Sequence, residues 1–188
     1  LEQLRKTIEN IYKLSEESMT TFLSVWREWL VAGDKQILRE HAVADYIYFL
    51  NKGMARIFYY KNGKEITEWI APEGTMCLSL TSFFNRTPSK LVIHTIGPAH
   101  VYGVHHNDLE ALAASHHEIE TLYRKMLAAS LILSQQRMES IQFETAEQRY
   151  KKLIKQNPDF LLKVPLSYIA SFLGVTLETL SRIRSAFH

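Results

Sequence analysis

The chain has 188 residues, 46% of them apolar, with seven glycines, five prolines and a formal net charge of +2. That length and apolar content can bury one large core or two smaller ones, and they exclude disorder and low complexity. No apolar run approaches the roughly 18 to 20 residues of a membrane span, and no secretory pattern occurs, so a soluble, cytoplasmic protein with no membrane partner is expected.

The single cysteine, Cys77, excludes an internal disulfide framework and a cysteine-ligated zinc or iron–sulfur site within one chain. Leu1 is not an initiator methionine, so a short preceding segment is expected. Charge is unevenly placed. Residues 144–188 hold seven Lys/Arg against four Asp/Glu, a net of +3, which leaves −1 for the preceding 143. A basic C-terminal segment suits contact with phosphate, although many solvated helices are as basic.

In chain order, residues 1 to about 30 show helical spacing: Leu4, Ile8, Ile11 and Tyr12, then Phe22, Val25, Trp26 and Trp29, ending near Gly33. From Gln36 to about Val104 the texture changes to short strands. Tyr46–Leu50 precedes an expected turn at Lys52-Gly53, and Ala55–Tyr60 precedes Asn62-Gly63, a hairpin signal. Ile66–Ala71 follows, Pro72-Glu73-Gly74 breaks the chain, and Leu91–Ile96 and Val101–Val104 resume strand texture. Strands at this spacing predict a sandwich, roll or barrel.

The remainder is helical. Asn107-Asp108 can cap a short helix around Leu109–Ala114. His117 to Phe143 lacks Gly and Pro and carries Ile119, Leu122, Met126, Ala129 and Leu133 at spacings of three and four, with Tyr123, Leu127 and Leu131 beside them. A two-faced helix this long needs two partners, its own strand domain and a second helix, which suggests a homodimer. The heptad weakens after Leu133, at Gln136 and Ser140, and the alternative is a helix in a monomer's core. Thr145-Ala146-Glu147-Gln148 reads as a capping box that opens another helix, to about Gln156 before Asn157-Pro158.

Leu166–Ile183 carries the functional signal. Two helices crossing at a wide angle over a short turn need a small residue at the crossing, supplied by Ala170, and a left-handed position after the first helix, supplied by Gly174. Ile169, Leu173, Val175, Leu180 and Ile183 are expected inside, with Thr176 capping the second helix and Glu178 in its first turn. The spacing predicts a helix-turn-helix, a module whose second helix enters the major groove; the alternative is an ordinary helical hairpin with a glycine cap. Candidate DNA-binding residues are Leu177, Glu178, Ser181 and Arg182 on the reading face, with Ser185 at its end, and Ser167 and Thr176 for phosphate. Glu178 would accept from cytosine, and Arg182 would donate to guanine or phosphate.

Glu178-Thr179-Leu180-Ser181-Arg182, preceded by Ile169-Ala170-Ser171-Phe172-Leu173-Gly174, resembles the DNA-reading motif of the CRP/FNR transcription regulators. The order of regions agrees over nearly the whole chain, and the glycine-punctuated strands of that family are matched by Ile47–Gly53 and Gly63–Ile66. The resemblance implies an α+β fold in three parts. Residues 1–115 would form N-terminal helices and a cyclic-nucleotide-binding-like β-roll that senses an effector. Residues 116–143 would form the dimerisation helix, and 144–188 the helix-turn-helix domain. It also implies a homodimer on a two-fold-related operator in double-stranded DNA, with a shift between two dimer arrangements as the switch.

Departures from the family bear on the effector. Following Gly74, the places of its Gly-Glu and Arg-Ser pairs fall at Leu78-Ser79 and Ser89-Lys90. No carboxylate stands ready for a ribose and no arginine for a cyclic phosphate, so a response to cAMP is not expected. Met76, Leu78, Ser79, Leu80, Ser89 and Lys90 remain the candidate effector pocket, either for another small effector of unidentified chemistry, with Arg86 or Lys90 as the cation, or closed by its own apolar side chains. Leu177 replaces the arginine that opens the reading motif in well-known members, so the operator should differ. With five residues after Ile183 in this sequence, a wing strand is not expected, and phosphate contacts are expected to be fewer or supplied by Lys151, Lys152, Lys155 and Lys163.

His105-His106 and His116-His117 are adjacent pairs that diverge in direction and chelate poorly, so no metal is expected. Haem, through His94 or Cys77, is disfavoured, and no other cofactor is implied. No nucleophile elbow surrounds Ser79 or Ser82 and no phosphate loop or dinucleotide motif occurs, so no catalytic residue is assigned and an enzyme is not expected. The competing reading is a ligand-binding or protein-interaction module whose degenerate helix-turn-helix no longer reads DNA.

Overall fold

The computed structural model describes residues 1–186. Two helices, α1 (Glu2–Ile11) and α2 (Glu16–Ser24), lead into strands β1 (Trp26–Val31), β2 (Gln36–Leu38), β3 (Tyr46–Lys61), β4 (Lys64–Ala71) and β5 (Met76–Cys77). After α3 (Leu80–Asn85) the last strand, β6 (Val92–His105), runs directly into α4 (His106–Ser115). The long α5 (His117–Phe143) follows, then α6 (Ala146–Gln156), α7 (Phe160–Lys163), α8 (Leu166–Leu173) and α9 (Leu177–Ser185).

All strand pairings are antiparallel, in the order β1-β6-β3-β4, with β2 also on β6 and β5 also on β3. The two long strands, β3 and β6, pair with each other and carry the shorter strands at their other edges. Where the sequence suggests a turn at Lys52-Gly53, β3 continues instead, shifting register between Leu50 and Met54, with Gly53 at φ +87°. Likewise the segments around Leu91–Ile96 and Val101–Val104 are one strand, with Gly97 at φ +70° between them. A glycine can mark a bulge as readily as a turn, and the long partner strand supplies hydrogen bonds on both sides of it. The Asn62-Gly63 hairpin forms as predicted, both residues at positive φ and Lys61 paired with Lys64.

The helical spacing read through Trp29 is corrected at Trp26, where β1 begins and pairs with β6 (Trp26 with Val104, Trp29 with Val101). Residues three apart share a helix face but lie on opposite faces of a strand. Trp26 accordingly packs edge-on against Phe22, and Trp29 against Tyr46 and Tyr48 on the other side. α3 and α7 are elements that the sequence reading did not contain.

α5 occupies the span expected from its periodicity, and Ile119, Leu122 and Tyr123 bury its first half in the core formed by α1, α2, α4 and the sheet. α6 begins on the predicted capping box, with Thr145 and Gln148 bonding reciprocally. A second core joins the C-terminal helices, through Tyr150, Leu153, Phe160, Ile169, Leu173 and Leu180, to Met54 and Ile70 of the sheet.

Candidate nucleic-acid interface

α8 ends on Gly174 at φ +71°, a left-handed residue. The Gly174 N–H donates to Ser171 O (3.1 Å) and the Val175 N–H to Ala170 O (3.0 Å), which satisfies the last carbonyls of the helix. Ile169, Ala170, Leu173 and Leu180 are buried, and Val175 and Ile183 half-buried, so the scaffold positions read from the sequence do face inward. Thr176 caps α9 by accepting the Thr179 N–H at 3.2 Å, with Glu178 in the first turn, where the positive end of the helix dipole favours it.

Leu177, Glu178, Ser181 and Arg182 are all exposed, as is Ser185. Their spacing places them on one face of α9, opposite Leu180 and Ile183. Leu177, an aliphatic residue at 51% exposure, stands at the leading end of that face. Ser167 is exposed in the first turn of α8. The Thr176 hydroxyl is already engaged with Thr179, and Arg182 donates to Thr179 Oγ1 (3.3 Å), so these three form a short chain of bonds at the head of the helix. Of the basic residues considered for phosphate, Lys152 pairs with Glu144 at 3.0 Å, Lys163 with Asp159 at 2.7 Å and Lys151 with Glu147 at 3.0 Å. Exposed pairs of this kind are weak and exchange readily for a phosphate.

How the module is held to the rest of the molecule was not legible in the sequence. β4 is a sheet edge, and α8 lies along it. The buried Thr67 N–H donates to Ser171 Oγ at 2.8 Å. Phe172 packs edge-on against Trp69. Arg56 of β3 is 2% exposed. It donates to Thr67 Oγ1 (2.8 Å) and Glu65 (2.6 Å), and its guanidinium lies between the rings of Phe58 (4.3 Å) and Tyr168 (3.9 Å). Two further arginines close the carbonyl end of α8. Arg137 of α5 stacks on the Phe172 ring at 3.9 Å and bonds the Phe172 carbonyl, and Arg149 of α6 donates twice to the Leu173 carbonyl (3.2 and 2.8 Å). Cations at a helix C-terminus satisfy orphan carbonyls and oppose the negative end of the dipole.

The candidate effector residues divide. Ser79 and Ser89 are buried and bonded to each other at 2.8 Å, and the Ser89 hydroxyl also engages both backbone groups of Leu91 (2.8 and 2.9 Å). Leu78 is half-buried and Met76 pairs with Phe49 in β5, while Leu80 and Lys90 are exposed. Arg86 turns to the start of β3, where it pairs with Asp45 and donates to the Ala44 carbonyl at 2.8 Å. Burial pushes the neighbouring Cys77 thiol up to about 12. The hydroxyls of Ser79 and Ser89 and the guanidinium of Arg86 are therefore spent on the protein itself, and a ligand reaching Ser89 would first have to break those bonds.

No protein-family model and no curated protein sequence matches the chain. Solved structures do. FixK2 from Bradyrhizobium japonicum aligns at a TM-score of 0.74 and 22% identity over 87% of this chain and 85% of that one. The c-di-GMP responsive global regulator CLP of Xanthomonas campestris aligns at 0.67 and 13%, covering 92% and 91%. The catabolite activator protein of Thermus thermophilus aligns at 0.59 and 20%, covering 94% and 84%. The chain has the fold of the CRP/FNR regulators. The α+β architecture expected from the resemblance, a cyclic-nucleotide-binding-like roll followed by a C-terminal helical module, is thus observed over nearly the full chain.

Proposed function

We propose that this protein is a sequence-specific, DNA-binding transcription regulator acting as a homodimer, and that its β-roll does not respond to cAMP. The observation that carries the reading is the division of α9. Its inward residues lock it onto α8, while Leu177, Glu178, Ser181 and Arg182 form one exposed face with no packing role. A helix face of mixed aliphatic, acidic and basic character suits the donor, acceptor and methyl pattern of a major groove. Ser167 and Thr176 flank it as contacts to phosphate.

Dimerisation is assigned to the second half of α5. Leu131, Met138 and Ile141 are exposed there, with Ser134 completing a spacing of three and four from Leu127. Such a stripe on a helix already buried along its other half calls for a partner helix. The cAMP assignment rests on the Ser79–Ser89 bond and on the commitment of Arg86 to Asp45, which leave no arginine free at the place of a cyclic phosphate.

The test is selection of bound fragments from genomic DNA, followed by competition binding on the enriched site. Specific binding should fall steeply with salt and be lost on Glu178→Ala or Arg182→Ala, each costing about 1–3 kcal/mol. Absence of preference for any fragment over random DNA at low salt would refute the reading in favour of a module that no longer reads DNA. Sedimentation should give a dimer, which Met138→Glu with Ile141→Glu dissociates, and cAMP should leave the melting temperature unchanged.

A further inference from the structure

A half-open cavity of about 610 Å³ lies between the β1–β2 connection and the face of the sheet that carries Trp29, Tyr46 and Tyr48, within the roughly 300–1,000 Å³ range of small-molecule sites. It is distant in sequence from the Ser79–Ser89 segment and shares no residue with it. Tyr48 is buried against it, its hydroxyl donating to the Ile37 carbonyl at 2.9 Å and so bridging two strands of the roll. Trp29 is set against Gly103 so closely that a Cβ at that position would lie 2.8 Å from Cζ3 of the indole. The tryptophan has its place only because residue 103 is glycine. Tyr46 stands at right angles to it, ring centroids 5.2 Å apart, with its hydroxyl accepting from Arg27 at 3.0 Å. Three aromatic rings are therefore held in fixed orientations, with both phenol groups already bonded to protein.

Apolar residues supply nearly all the rest of the lining, including Val101 and, at the rim, Leu30, which is 80% exposed. The one charged lining residue is Lys35, which has no ion pair among the described residues. Its segment is pinned in place. The Lys35 N–H donates to Thr95 Oγ1 (3.0 Å), its carbonyl accepts the Thr95 N–H (2.9 Å), and Asp34 accepts the Gly97 N–H (2.7 Å). A preformed, aromatic-walled cavity with one unpaired cation at its edge selects a flat apolar molecule with a single negative charge.

We propose that this cavity is a binding site for a small aromatic carboxylate, its ring against Trp29 and Tyr46 and its carboxylate paired with Lys35. The site lies on β6, which continues into α4 and then α5, so an occupant would touch the strand that leads to the long helix. The proposal does not depend on the DNA-binding reading.

The experiment is calorimetric titration of the full chain with 2-naphthoate and, as a neutral control of the same shape, 2-naphthamide. Saturable 1:1 binding of the acid is expected, about tenfold tighter than the amide. Lys35→Met should erase that difference while leaving the melting temperature and circular dichroism unchanged, because the Lys35 side chain is exposed. Ala32→Trp, an exposed lining position, should fill the mouth and abolish binding of both compounds. Three results would overturn the proposal: no saturable binding up to about 10 mM, equal affinity for acid and amide, or undiminished binding to folded Ala32→Trp. A change of molecular mass in sedimentation on Leu30→Glu would also overturn it, by showing that a second copy occupies this face.

Discussion

Thr67 and Ser171, 104 residues apart, are joined by a 2.8 Å hydrogen bond from the Thr67 backbone N–H to the Ser171 hydroxyl oxygen. The donor belongs to an edge strand, where an N–H would otherwise face solvent or another chain. The acceptor belongs to the first helix of the proposed DNA-reading module. The bond turns a sheet edge into a docking rail for α8, and Arg56, Trp69 and Arg137 reinforce it from three elements.

Ser171→Ala should loosen that rail selectively. It leaves a buried N–H without its acceptor, at a cost of about 1–2 kcal/mol. Amide exchange at Thr67 should accelerate several-fold while the amides of Ile47 and Phe49 in the other half of β3 keep their protection. Equal acceleration at both places would show that the contact does not open independently.

Arg149→Ala removes both side-chain bonds to the Leu173 carbonyl and a third to the Glu144 carbonyl. Hydrogen bonds from a charged donor are worth about 1.5–3 kcal/mol, discounted here because Arg149 is only half-buried. A loss of about 2 kcal/mol in denaturant unfolding is expected, and Arg149→Lys should recover less than half of it, since one ammonium cannot reproduce the fork. Loss below about 0.5 kcal/mol would contradict the capping role.

Gly53→Ala tests the bulge in β3. The residue has φ +87°, and an added Cβ would meet the Pro98 carbonyl oxygen at 2.7 Å. Both strain and clash fall on backbone, so a cost of about 2–4 kcal/mol is expected in thermal or chemical unfolding. Gly63→Ala is the comparison. Its φ is also positive, at +72°, but nothing lies within 4 Å of the added carbon, so it should cost about 1 kcal/mol.

Glu118 governs part of the acid limit. Bonds from the side chains of Ser18 and Ser15, and from the Ser15 N–H, hold its carboxyl at about 2, below the ordinary 4.5. A carboxyl depressed in the folded state stabilises it above the ordinary value, and that stability is lost as pH falls from about 4.5 through about 2. Glu118→Gln should therefore lower the melting temperature near neutrality and flatten its fall across that window. An unchanged acid slope would show that the bonds are made equally well by the neutral group.

What the sequence determined by itself is local. Gly174 and Ala170 define the turn and the crossing, Thr145 and Gln148 start α6, Asn62-Gly63 makes the hairpin, and the uninterrupted run from His117 to Phe143 is one helix. Each depends on residues within a few positions of one another, so spacing alone is informative. The tertiary structure decided whatever needed a distant partner. Trp26 and Trp29 fit a helix until β6 offers a ladder to pair with, and Lys52-Gly53 fits a turn until a single long strand spans it. Ser79 and Ser89, ten residues apart, stand among the candidate pocket residues in the sequence, and only folding shows that they bond each other. The placement of α8 on β4, which sets α8 and α9 against the β-roll, comes from Thr67, Arg56, Arg137 and Arg149. Their charges and hydroxyls are visible in the sequence, but only folding shows which carbonyl, ring or N–H each one meets.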